Sequence, residues 1–292
     1  MSALSFPTSS AALGRRSWLS ELRALAAVAR REWLIFRRYP TWVIALLIWP
    51  VIFPAAYIIG ARALIGPDGA GLALFRQAAH TSDYIGYIAV GTTVWMWQNV
   101  ALWNIGMTLR NEQMRGTLET NWLSPAWRLW FLLGGALMNG LTLALFILIA
   151  GLEFWLFFGV RLAGNPWLVL LMFAAAMPSV YGLAFAFASV VIAAKEANAF
   201  IFLVRGLVMI FCGITFPVTL LPEWMRSVTY WLPQTYVIHA MRMAALSPAT
   251  IPDLLPDILP LLFFGVFWLT AGYVLFNLME RRARQTGSIG QY

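Results

Sequence analysis

Lysine is almost missing from this chain. Of its twenty basic residues only Lys195 is a lysine; the other nineteen are arginine. A nucleotide-binding P-loop needs Gly-x-x-x-x-Gly-Lys-Ser/Thr, because its lysine and loop amides hold the phosphates. Lys195 instead follows Val191-Ile192-Ala193-Ala194 and precedes Glu196, so no standard P-loop can be built. Cysteine is nearly absent too: Cys212 stands alone in an apolar run and carries no disulfide information. The two histidines, His80 and His239, are far apart with no ligand cluster beside them, which argues against a metal centre. Charge itself is scarce, at 11% of residues, against roughly 25% in soluble domains. With 61% hydrophobic residues and a mean hydropathy of +0.75, a soluble fold would need a core larger than this chain can enclose. The solvent for most of it is lipid.

What the chain does have is apolar runs of bilayer length. A membrane-crossing helix needs about 20 apolar residues, and six runs qualify: 41–63, 84–108, 129–157, 167–192, 199–221 and 258–279. The expected fold is therefore an all-α integral membrane protein with six transmembrane helices. Residues 1–14, rich in Ser and Ala, are expected to be a mobile tail with no cleavable signal. Residues 15–39 read as an amphipathic interfacial helix. Arg16, Arg23, Arg30 and Arg37 recur every seven residues along one stripe. Trp18, Leu22, Leu25, Ala29, Trp33 and Phe36 follow the three-four spacing of another face. That pairing suits a helix lying in the headgroup plane, although a helix packed on a soluble partner has the same pattern. Pro40 ends it. The six-span region then covers 40–280, and 281–292 forms a cytoplasmic tail.

The net charge of +8 and pI near 10.1 report topology, not nucleic acid. With the N-terminus in the cytoplasm, five basic residues fall outside: Arg62, Arg76, Arg161, Arg226 and Arg242. Arg205 lies within a span, and the remaining fourteen of the twenty fall inside. This is the positive-inside bias, with anionic lipid as the expected partner. The first outside segment, 64–83, holds a turn cluster, Gly66-Pro67-Asp68-Gly69.

Two polar stretches interrupt the apolar runs. Between spans two and three lies "RNEQMRGTLETNWLSPAWR", residues 110–128. It fits a short helix in which Glu112, Arg115 and Glu119 form an i,i+3 and i,i+4 charge ladder. Exposed pairs of this kind are worth only a few tenths of a kcal/mol, so stability does not explain them. Met114, Leu118 and Trp122 line a neighbouring stripe, and Gly116 allows another backbone close. The stretch suits docking to a cytoplasmic partner, or else a solvated loop that serves the charge bias. The second stretch, 222–257, is too polar to span, yet carries Trp224, Tyr230, Trp231 and Tyr236. Prolines 222, 233 and 248 divide it into two short helices, expected to re-enter the outer leaflet before span six; an ordinary aromatic-rich outer loop is the other reading.

At these residues the sequence resembles a family. Glu112-Gln113-Met114-Arg115-Gly116-Thr117-Leu118-Glu119, followed by Ser124-Pro125, is similar to the E-x-x-R-G-T-L-E…P signature of ABC type-2 exporter permeases. "ITFPVTLLPEWMRSVTYWLPQTYVIHAMR", residues 214–242, resembles the F-P…L-P…P-x-T-Y…A-x-R segment after span five. The element order matches along essentially the whole chain. One departure is Gly135 (or Gly134) where a lysine is common near the start of span three. The resemblance implies that 110–124 is a coupling helix seated in an ATPase subunit. Arg115 and Glu119 would pair across that interface, beside Leu118, while Gly116 and Thr117 permit close approach. It further implies two copies of a separate ATPase, which carries the ATP and Mg, and a second permease chain, a homodimer ahead of a heterodimer. This chain itself would bind no cofactor and catalyse nothing. Its place would be the cell membrane, with both termini cytoplasmic.

Two other classes compete. An ion-gradient-driven transporter places ionisable groups within its spans. Here only Glu153 and Arg205 qualify, at different depths, with Arg205 expected to snorkel toward the cytoplasmic face. A membrane enzyme needs convergent groups at one face, whereas Glu223, Asp253 and Asp257 read as solvated loop charges. For cargo, span two offers Trp95, Asn99 and Trp103 on one helical face, with Trp97 and Asn104 on another. Such a stripe suits either stacking on flat cargo or ordinary helix packing. An aromatic, uncharged path fits a drug, a lipid or another hydrophobic or amphipathic molecule first, and a glycan or glycolipid second.

Overall fold

The computed structural model describes residues 18–66, 70–114, 129–193 and 197–286. Among them every regular element is helical and none is a strand. The helices are α1 (Trp18–Arg38), α2 (Pro40–Ile65), α3 (Ala70–Ala79), α4 (Tyr84–Met114) and α5 (Leu129–Phe158). They continue with α6 (Pro166–Ala193), α7 (Ala197–Phe211), α8 (Glu223–Thr229), α9 (Pro233–Leu246) and α10 (Ile251–Thr286). A 3₁₀ turn, Val218–Leu220, precedes α8.

Prolines and small polar residues set the joints. Tyr39 leaves helical geometry (φ −115°, ψ 84°) because the residue before a proline is pushed out of the α region. Pro40 then opens α2, where its missing N–H costs nothing. Asp83 caps α4 by accepting the Gly86 amide at 2.8 Å, and Asn165 caps α6 by accepting the Trp167 amide at 2.9 Å. Pro233 opens α9, and Ser247 ends it with an extended backbone just before Pro248. Within the long helices, α2 carries Pro50 and Pro54, α6 carries Pro178 and α10 carries Pro256 and Pro260. No proline interrupts α4 or α5.

Among the described residues four segments have the length and apolarity to cross a membrane: Val43–Ile65, Gly140–Phe158, Pro166–Ser189 and Ile251–Met279. These correspond to predicted spans one, three, four and six. Predicted spans two and five do not meet that standard, each for its own reason. The second falls on α4, whose 31 residues extend about 46 Å. It is more polar than its neighbours because protein surrounds it: it packs against α2, α5, α6, α7 and α9. A helix walled by protein has no need to be apolar all round. The fifth falls on α7, which has only 15 residues, about 22 Å. It stops because Gly213 takes a positive φ of 64°, the common glycine ending of a helix.

The tightest pairing is α6 against α10. Small residues make it possible. A Cβ added at Gly182 would come within 2.8 Å of the Leu269 amide nitrogen, and one at Gly272 within 2.9 Å of that of Ala186. A Cβ at Gly265 would lie 2.9 Å from Pro178 Cβ, and the Ser189 hydroxyl donates across to the Gly272 carbonyl at 3.4 Å. Where apolar burial gives no net drive between helices, such close van der Waals contact holds them together.

The expected interfacial helix is α1, with bounds 18–38 against 15–39. Arg23, Arg30 and Arg37 are all exposed, as one stripe should be, and Arg31 bonds Glu32 at 2.7 Å. Arg16 and the tail 1–14 lie outside the described residues; of the expected tail 281–292, residues 281–286 continue α10 and the rest lie outside the described residues. The segment 64–83, expected outside, contains a helix, α3, that the turn cluster did not announce. The stretch 222–257 forms two short helices as predicted, but residues 251–257 already belong to α10, so the last span starts earlier.

Candidate functional site

α4 is the axis of the site. Its helix runs on past the expected end at residue 108, so Glu112 sits in its last turn. Arg115, Gly116, Thr117, Leu118 and Glu119 lie outside the described residues, together with the remainder of the charged turn to Arg128. The sequence-derived docking ladder therefore begins where α4 ends.

Higher on α4 the predicted aromatic stripe is largely inside the bundle. Trp95 is buried, stacked on Phe53 of α2 with ring centroids 4.8 Å apart. Its indole N–H donates to the Arg205 carbonyl at 3.4 Å, and the Arg205 guanidinium lies 5.3 Å from its ring centroid. Trp95 is thus occupied by Phe53 and Arg205, and a flat molecule stacking in the place of Phe53 would have to displace it. Asn99 is buried beside it. Trp103 is half-buried and packs instead against a cluster containing Phe187 of α6 and Ile201 of α7. Trp97 is fully buried against Phe173 at 4.5 Å, while Asn104 is exposed. Arg205, expected to reach for the cytoplasmic face, is held over Trp95 and Phe202 as a cation–π donor.

Two buried amides escaped the sequence reading. Gln98 is 3% exposed and Gln234 is 2% exposed, and in each both amide atoms lack a hydrogen-bond partner within the chain. The Asn99 Nδ2 is in the same condition. Buried polar groups left unpaired cost about 1–3 kcal/mol each by mutational measures, so such side chains usually have work elsewhere. The signal available in the sequence was Gln98-Asn99 within an otherwise apolar run; the stripe analysis used only the second of the pair.

Two charged residues need correction, and a third is placed. Arg242, counted among the outer loop charges, is buried at 9% exposure on α9. Its Nε donates to the Tyr87 carbonyl at 3.1 Å, its Nη1 to Gly213 at 2.8 Å and its Nη2 to Ile214 at 2.6 Å. Burial pushes its guanidinium down to about 10, with the Tyr87 phenol opposing, so it stays protonated at neutral pH. Asp257, read as a solvated loop charge, is buried, with Oδ2 2.7 Å from the Nδ1 of His239. The pair forms because α9 and α10 fold back against each other, a contact no sequence spacing announces. Glu153 is also buried, on α5, packed near Ala150 and Phe154, with Oε2 unpartnered within the chain. It makes no ion pair with Arg205. Among the described residues no group of three His, Cys, Asp or Glu could hold a metal ion.

A family model described as ABC-2 family transporter protein matches residues 67–274. The chain belongs to the ABC-2 transporter family. As an ABC-2 permease it is a membrane transport component, and ATP hydrolysis in such systems resides on a partner ABC ATPase. No curated protein matches the sequence.

Proposed function

We propose that this ABC-2 permease is the membrane subunit of an ATP-driven exporter, moving a hydrophobic or amphipathic molecule such as a drug or lipid out of the cytoplasm. The observation that carries the reading is the family match over residues 67–274, which spans the charged turn, the interrupted α7 and the α8–α9 pair. Two copies of the chain, each contributing α4 and its buried amides, enclose the path; the homodimer is the simpler assembly. Two ATPase subunits sit on the cytoplasmic side, where Arg115 and Glu119 pair with them and Gly116 and Thr117 let them approach. α4 and α7 count as spans two and five in this reading, and α8–α9 re-enters the outer leaflet. The chain resides in the cell membrane with both termini inside, as the basic residues favour.

The mechanism is a two-state switch biased by nucleotide. Closing of the ATPases brings the two charged turns together, α4 tilts with them, and the Trp95 ring is uncovered as Phe53 of α2 moves away, while Arg205 of α7 stays with α4. Gln98, Asn99 and Gln234 then find hydrogen-bond partners in the cargo or in water. Glycolipid or polysaccharide export is the second cargo class, favoured by the aromatic and amide groups of α4.

The test is reconstitution. Tagged protein drawn from its native membrane should carry a P-loop ATPase, and vesicles holding both should accumulate cargo only with hydrolysable ATP. Cargo movement by the purified permease alone on a proton or sodium gradient would overturn the proposal and favour secondary transport.

A further inference from the structure

Arg242 has no part in the coupling turn or the cargo path, yet its contacts are unusually complete. Its donors reach carbonyls on two segments more than a hundred residues apart, Tyr87 of α4 and Gly213-Ile214 beyond the end of α7. Its guanidinium carbon also lies 3.4 Å from the Tyr87 ring centroid. The Gly213 and Ile214 carbonyls follow the break in α7, so no further helical turn bonds them. Cations are favoured at such a helix end. Space is equally constrained on the other side: a Cβ at Gly91 would collide with Arg242 Nη2 and the Ile214 carbonyl. The end of α7 is tied in the same sense, since the Thr229 hydroxyl of α8 donates to the Phe211 carbonyl at 2.9 Å.

We propose that Arg242 is a positioning residue that fastens the interrupted end of α7 and the α8–α9 pair to the outer part of α4, keeping that side of a single chain closed over Cys212. The three segments then move as one body, and opening toward the outside takes place between chains rather than within one. The closure is a property of this chain by itself and does not depend on the cargo or the ATPase. Lysine cannot replace the arginine, because one ammonium cannot present a planar fork to three separate carbonyls.

Cys212 is the only cysteine in the chain and is 1% exposed, so it reports local opening directly. Full-length protein in lipid vesicles is treated with a membrane-impermeant charged maleimide, and the labelling rate is measured. R242K and R242Q are expected to raise the rate at least about tenfold, because a buried thiol is inert until its surroundings open. Circular dichroism should show helix content unchanged. G91A keeps the arginine but displaces it, and should give the same increase. R226K serves as the comparison: Arg226 also bonds carbonyls in this region, those of Thr219 and Leu221, but it does not hold α4, so Cys212 should stay protected. The proposal fails if Cys212 is as protected in R242K and R242Q as in the parent, or if R226K exposes it equally. If the Arg242 variants do not insert, G91A decides: protection there overturns the proposal.

Discussion

Arg115 and Gly116 carry the sharpest residue-scale expectation. If the charged turn docks on an ATPase, Arg115→Glu reverses a charge at the contact and Gly116→Trp fills the space a second backbone needs. Each should lower ATP-dependent export at least about tenfold, the low end of what disrupting a charge pair at an interface costs, with membrane insertion unchanged. Normal export by both variants would remove the docking role. Trp95 gives a separate expectation. Its ring contacts both Phe53 and Arg205, so Trp95→Ala should weaken the response of ATP hydrolysis to cargo while leaving the basal rate in place. A basal rate that falls together with the cargo response would instead assign Trp95 to packing.

Among the elements, the α6–α10 pair and α1 make opposite predictions. Gly182→Leu places a large side chain where a single Cβ already approaches the Leu269 amide within 2.8 Å. Overpacking of this kind costs about 1–3 kcal/mol or more, and thermal unfolding in detergent should move down accordingly. α1 is exposed along Arg23, Arg30 and Arg37. Replacing all three by Gln should weaken α1 peptide binding to anionic vesicles by about 1 kcal/mol per arginine at low salt, with little effect on neutral vesicles. Much of this architecture was legible in advance. The α1 boundary followed from Pro40, and the α8–α9 pair from prolines 222 and 233, because proline acts locally. Two features were not legible. α7 ends at Phe211, before Gly213 takes its positive φ, and the carbonyls there accept from the Thr229 hydroxyl and the Arg242 guanidinium, partners that no local pattern announces. α4 was assigned by apolar length, yet its polar content is tolerated because five helices surround it, which no single-segment pattern can report. The same blindness left Asp257 as a loop charge, when α9 folding back on α10 buries it against His239.

For the whole molecule, one chain leaves broad apolar faces on α2 and α10, including Trp49, Ile52, Phe263 and Val266, to be covered by lipid or by a second copy. The exporter reading expects a dimer, so mass measurement in native-lipid particles should give two permease chains with two ATPases; a monomeric permease that still exports would remove the shared path. The distribution of proline bears on how such an assembly transmits force. α2, α6 and α10 each contain interior prolines, where the backbone ladder is broken and bending is easy. α4 and α5, the two helices that flank the charged turn, contain none. They are stiff struts set among jointed ones. A push delivered at the Glu112 end of α4 therefore arrives some 40 Å away as displacement rather than being lost in a bend, and the far end that receives it is the turn held by Arg242.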